Sequence, residues 1–128
     1  MGLCLFPADG EVDGPEACFS YGGFAQFRRR LALAEQIRLE EMQGFGGDRS
    51  WNDIATAFEP LLNHPDDHGR SLTPDECRAF LPRLEAVLAE WTETEPQEPE
   101  LREHIADARD LIAVLQVCVQ KNVELSFL

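Results

Sequence analysis

The sequence predicts an α+β domain, mainly helical, with four or so packed helices and a small two- to three-stranded sheet formed near the N- and C-termini. Three observations carry this. Apolar residues recur at steps of three and four over four separate stretches, which is the helical period. Near the start, two short apolar runs flank PADGEVDGPE, residues 7–16, a tract dense in turn-forming Pro, Gly and Asp. At the end, VELSFL alternates Val123, Leu125 and Phe127 with Glu124 and Ser126, the pattern of a half-buried strand. A chain of 128 residues, 44% apolar, suits one domain over 1–128 with a real core.

Taken in order, Gly2 to Phe6 and Ala17 to Tyr21 read as strands of a hairpin with a long acidic loop. Asp9, Glu11, Asp13 and Glu16 in that loop read as solvated, with a hard-cation site as the alternative. A helix is expected from about Gly23 to Ile37, its apolar stripe being Phe24, Phe27, Leu31, Ala34 and Ile37. Arg28, Arg29 and Arg30 lie on it, and three sequential residues cannot share one face. They pair with nearby carboxylates or contact an acidic ligand. EEMQGFGGDR, residues 40–49, is a loop whose Phe45 plugs into the core.

Ser50 caps the next helix, which buries Trp51, Ile54, Ala55, Phe58, Leu61 and Leu62 until Pro60 kinks or ends it. Thr73, Pro74 and Glu76 form the strongest start signal in the chain: cap, first-turn proline and capping-box carboxylate. That helix runs to about Trp91, with a kink expected at Pro82. Pro99 opens the longest helix, to about Lys121, with acids at its start and a base at its end to suit its dipole. The terminal strand then joins the hairpin, since two strands alone are marginal.

Net charge is −13, from 24 acids and 11 bases. Such a surface repels phosphate backbones and argues against nucleic-acid binding, while it attracts a basic partner or a cation. No run approaches a membrane span, and MGLCLF makes no signal-peptide core, so a cytoplasmic chain that does not enter a membrane is expected. Cys4, Cys18, Cys77 and Cys118 include no CxxC pair, and buried free thiols are expected. A Cys4–Cys18 disulfide needs the two strands to pair, and the expected compartment argues against it.

Asn63 to Cys77, NHPDDHGRSLTPDEC, has the outline of a calcium-binding helix-loop-helix. Its spacing is damaged. With Gly69 at the obligatory glycine position, His64 and His68 replace oxygen ligands. With Leu72 at the aliphatic position, Glu76 falls correctly at the last ligand position, but Arg70 takes the glycine's place. Asp66, Asp67 and Glu76 are the remaining candidate calcium ligands. No phosphate loop, GxSxG elbow or HExxH occurs. A Cys77–His104 pairing is conceivable, but Asp75 and Glu76 oppose a Cys77 thiolate, and a buried thiol explains the residue more simply.

DGEVDGP (9–15), FRRRLA (27–32), GFGGDR (44–49), PLLNH (60–64), LTPDEC (72–77) and VELSF (123–127) together resemble a group of small acidic proteins encoded by actinobacteria and their phages. The match spreads over nearly the whole chain and implies the same fold. It transfers no catalytic residue. Members of the group carry aspartates on both sides of the loop glycine. Here His68 stands beside Gly69, and the loop is one residue longer.

The function expected is non-enzymatic: an acidic protein that binds a basic protein partner, one version being an immunity or inhibitor protein against a basic toxin or nuclease. Glu90, Glu93, Glu95, Glu98, Glu100 and Glu103, the densest acidic run, are the expected partner-binding residues. The alternatives are a calcium-responsive EF-hand-like module and a small enzyme.

Overall fold

The computed structural model describes residues 2–11, 13–64, 71–93 and 98–127. Strand β1, Gly2–Pro7, is the centre of a three-stranded antiparallel sheet of order β2-β1-β3, flanked by β2 at Ala17–Ser20 and β3 at Leu125–Phe127. Leu3 faces Phe19 and Leu5 faces Ala17 on one edge, while Leu5 faces Phe127 and Pro7 faces Leu125 on the other. Period-two alternation does the sorting. Leu3, Leu5, Ala17, Phe19 and Leu125 are buried on the inner face, and Cys4, Phe6 and Cys18 lie on the outer one.

The hairpin hands directly into helix α1, Tyr21–Ala34. Ser20 ends the strand and caps the helix, its Oγ accepting from Gly23 N–H at 2.9 Å. The helix stops short of the expected Ile37. Gln36 takes a left-handed φ of 61°, and the N–H groups of Gln36 and Ile37 donate back to the Leu33 and Ala32 carbonyls. This closure satisfies the last carbonyls and folds Ile37 onto the core without extending the helix.

The segment after it is pinned by backbone. Arg49 N–H donates to Glu41 O at 2.9 Å and Gln43 N–H to Arg49 O at 3.0 Å. Gly47 lies so close that a Cβ there would sit 2.1 Å from the Glu41 carbonyl, which only glycine tolerates. Phe45 is half-buried against the core and meets Trp51 edge-on at 6.0 Å.

The helix expected over 51–62 is two shorter pieces. Trp51–Asp53 is a single 3-10 turn, capped by Ser50 Oγ on Asn52 N–H at 3.1 Å. Ile54 is extended, Thr56 Oγ captures Phe58 N–H at 3.1 Å, and only then does α2 form at Glu59–Leu62. A side-chain acceptor competing with the helix ladder breaks the segment. Pro60 starts α2, where its missing donor costs nothing, and does not end a longer helix.

The two long helices, α3 at Pro74–Glu93 and α4 at Pro99–Lys121, form an antiparallel hairpin, the most extensive pairing of elements among the described residues. The capping box at α3 is complete: Thr73 N–H donates to Glu76 Oε1 at 2.9 Å and Glu76 N–H to Thr73 Oγ1 at 3.1 Å. Helix α3 runs on through Pro82. Helix α4 ends at Asn122 in the left-handed region, φ 56°, which turns the chain into β3. One core cluster draws on every strand and α-helix, with Phe24, Phe27, Phe58, Phe80, Leu111 and Leu115 at its heart. Leu72 pairs with Leu125 by two backbone hydrogen bonds of 3.0 and 2.9 Å, tying the approach to α3 onto the sheet.

Candidate functional site

The acidic run sits where α3 ends and α4 begins. Glu90 and Glu93 lie on the last turns of α3, and Glu98, Glu100 and Glu103 on the cap and first turns of α4, all exposed. Antiparallel packing therefore brings both groups to one end of the hairpin. Glu95 lies outside the described residues. Among the described residues, Glu98 is the one of these acids that forms an ion pair, with Arg30 at 3.1 Å.

The three consecutive arginines separate as helix geometry demands. Arg28 falls on the stripe of Phe24, Phe27 and Leu31 and is buried, 3% exposed. Its guanidinium lies 4.3 Å from the Phe24 ring centre and 5.4 Å from that of Phe45, and it donates to the His64 carbonyl. Arg30 crosses to α4. Its Nε donates to His104 Nδ1 at 2.7 Å while its terminal nitrogen holds Glu98. Arg29 points outward into a cleft of about 270 Å3 shared with Gln26, Leu33, Glu40, Glu100 and His104.

His104 is 5% exposed, and its ring meets Phe27 edge-on at 6.0 Å. Burial, then the neighbouring Arg30 charge, holds its imidazole below the ordinary histidine range, against the pull of Glu98, Glu100 and Glu103. It is a neutral acceptor for Arg30, so its proton sits on Nε2. His104 and Cys77 are not brought together. His104 is at the start of α4, whereas Cys77, at the start of α3, meets Cys118 near the far end of α4. The conceived Cys77–His104 dyad therefore fails on topology.

Of the candidate calcium ligands, Asp66 and Asp67 lie outside the described residues. Glu76 is described, and its Oε1 is engaged by the Thr73 N–H of the capping box. The helix entering the loop is a single turn, Glu59–Leu62. His64 is buried and stacks on Phe127 with ring centres 3.7 Å apart, so its side chain belongs to the core.

The N-terminal acidic loop is pinned where Ala8 N–H donates to Glu124 O at 2.9 Å and where Lys121 Nζ donates to Asp9 Oδ2 at 2.8 Å. That contact pulls the Asp9 carboxyl below its ordinary value and raises Lys121. The expectation of four free thiols is overturned for two of them. Cys4 faces Cys18 across the β1–β2 ladder with Cα atoms 4.0 Å apart, and the sulfurs are bonded. Glu16 carries a carboxylate oxygen within 4.8 Å of that pair, but a disulfide has no thiolate to give, so the trio offers a cation one carboxylate. Cys77 and Cys118 are free and buried, as expected.

A further group has no counterpart in the sequence reading. Asp107 sits between His104 and Leu111 on the buried side of α4 and is itself half-buried. Desolvation, then Asp110 and Glu103, push its carboxyl up to about 6. Its signal was available: position 107 continues the 104, 111, 114, 118 stripe.

No helix of the described residues is long and apolar enough to cross a membrane. Comparison of the chain with protein-family models, curated proteins and solved structures found no match.

Proposed function

We propose that this protein is a non-enzymatic binder that presents the acidic end of its α3–α4 hairpin to a basic protein. An inhibitor or immunity protein directed at a basic toxin or nuclease is the concrete version. One observation carries the reading: Glu90, Glu93, Glu98, Glu100 and Glu103 are exposed together at one end of the α3–α4 hairpin. Fixed charges on a rigid element steer a partner of opposite sign and set its register at little entropic cost. The same field disfavours a nucleic-acid phosphate backbone.

The test immobilises the wild type and a Glu90→Gln/Glu93→Gln/Glu100→Gln/Glu103→Gln variant and probes both with a panel of purified basic proteins, nucleases included. At about 0.3–0.5 kcal/mol per rim charge, four neutralised acids weaken binding by roughly tenfold. The reading stands if one panel member binds the wild type, loses affinity as salt rises, and loses about tenfold with the variant. Binding indifferent to both salt and the four substitutions removes it, as does a panel with no binder.

A further inference from the structure

The remaining cysteines are not two isolated core residues. Cys77 is in the first turn of α3 and Cys118 in the last turn of α4, and the antiparallel hairpin brings these turns together. Both side chains are fully buried. The two thiols are neighbours in that buried space: Cys118 holds the Cys77 thiol below its ordinary value, and Cys77 pushes that of Cys118 up. The chain entering β3 lies over both: Cys118 Sγ approaches Glu124 O at 3.6 Å, and Leu125 pairs with Leu72 just ahead of α3. On the far side of the sheet, Cys4 and Cys18 are already joined.

We infer that Cys77 and Cys118 are a second cystine-forming pair, and that closing it clamps the start of α3 to the end of α4 beneath β3. The oxidant is a small-molecule disulfide of the glutathione type. The Cys77 thiolate attacks one of its sulfurs and releases one small thiolate. The Cys118 thiol then gives up its proton and attacks the Cys77 sulfur, expelling the second small thiolate. Two protein thiols and one small disulfide become one cystine and two small thiols. The neighbouring Cys118 favours the attacking thiolate and outweighs burial and the Glu76 charge, which oppose it. Burial sets the route. The exchange takes place while the chain folds, or when β3 lifts from the helices, and the closed clamp is then sealed from reductant.

The experiment uses the full chain, reduced and then equilibrated in oxidised and reduced glutathione. Free thiols are alkylated after denaturation, and the protein is digested at Lys and Arg. The expected product is SLTPDECR (71–78) disulfide-linked to DLIAVLQVCVQK (110–121), alongside the Cys4–Cys18 link. A Cys4→Ser/Cys18→Ser chain isolates the buried pair. Its melting temperature should rise by roughly 10 °C on oxidation, given the long loop closed between 77 and 118. The rise should vanish when Cys118→Ala is added. Both peptides recovered fully alkylated once Cys4–Cys18 has closed, either one linked to Cys4 or Cys18, or a linked pair with no rise in melting temperature, each overturns the inference.

Discussion

Asp107 is the residue at which fold and charge are most directly opposed. Its carboxyl, pushed up to about 6 by burial and by Asp110 and Glu103, has an ordinary value of 3.8. The folded state therefore keeps this proton to higher pH than the unfolded chain does. Near pH 4 the group costs the fold little. As pH rises towards 6 the unfolded chain ionises freely while the folded one resists, so stability falls and stays lower above that range. The difference sets an upper limit of about 3 kcal/mol, and screening at a half-buried position reduces it to on the order of 1–2 kcal/mol. Asp107→Asn keeps the shape and removes the charge. Urea unfolding at pH 8 should move to a midpoint higher by about 0.5–1 M, while wild type and variant nearly coincide at pH 4. A variant no more stable than wild type at pH 8, or a gap that does not change between the two pH values, refutes the argument.

Other perturbations have comparably definite outcomes. Replacing Cys4 and Cys18 by Ser opens a disulfide whose partners are 14 residues apart, and should cost about 3 kcal/mol in denaturant unfolding. Thr73→Ala deletes one half of the α3 capping box and should cost about 1 kcal/mol, read the same way. Glu35 receives Arg83 through two hydrogen bonds, of 2.8 and 3.2 Å, and clamps the end of α1 to α3. Glu35→Gln should cost about 1 kcal/mol, with half or more of the loss masked at high salt. Calcium at about 1 mM should leave the melting temperature unchanged. A site of about 10 μM affinity would contribute about 2.7 kcal/mol, a rise of several degrees that would move the assignment to the 63–77 loop.

The long helices and the strands were legible because local chemistry and core pattern agree there. Thr73, Pro74 and Glu76 build the start of α3 as their spacing requires, and α4 starts at Pro99 and ends at Lys121. The 51–62 segment misled because its apolar spacing is helical while its hydrogen-bond chemistry is not. Thr56 takes the Phe58 N–H, and Pro60 has none to give. Ile37 kept its burial but not its helix, since the left-handed Gln36 intervenes. Periodicity reports which residues face the core and says less about whether the backbone between them is helical. The acidic end was legible as a run of glutamates, and its gathering at the α3–α4 junction followed from the short connection. The disulfide was missed for a different reason. The β1–β2 pairing that the sequence predicts places Cys4 opposite Cys18, and that geometry outweighs the expected redox compartment.

The charge on this molecule is less evenly spread than its composition suggests. Several bases are spent on holding elements together. Arg28 is inside the core, Arg30 spans His104 and Glu98, Arg83 binds Glu35, Arg78 joins Asp75 to Asn122, and Lys121 fastens Asp9. Arg83, Arg78 and Lys121 each neutralise an acid along a helix interface or near the α4 C-terminus, while Arg30 neutralises Glu98 at the junction itself. Glu90, Glu93, Glu100 and Glu103 form no ion pair among the described residues. Under the proposed function, these four are the charges that a basic partner meets at the junction of α3 and α4. The cystine inferred for Cys77 and Cys118 would brace the other end of the same hairpin. A rigid element braced at one end and charged at the other holds its carboxylates at set spacings. Loosening the sulfur end should then reduce affinity for a partner bound at the acidic end, even though no residue between the two ends changes.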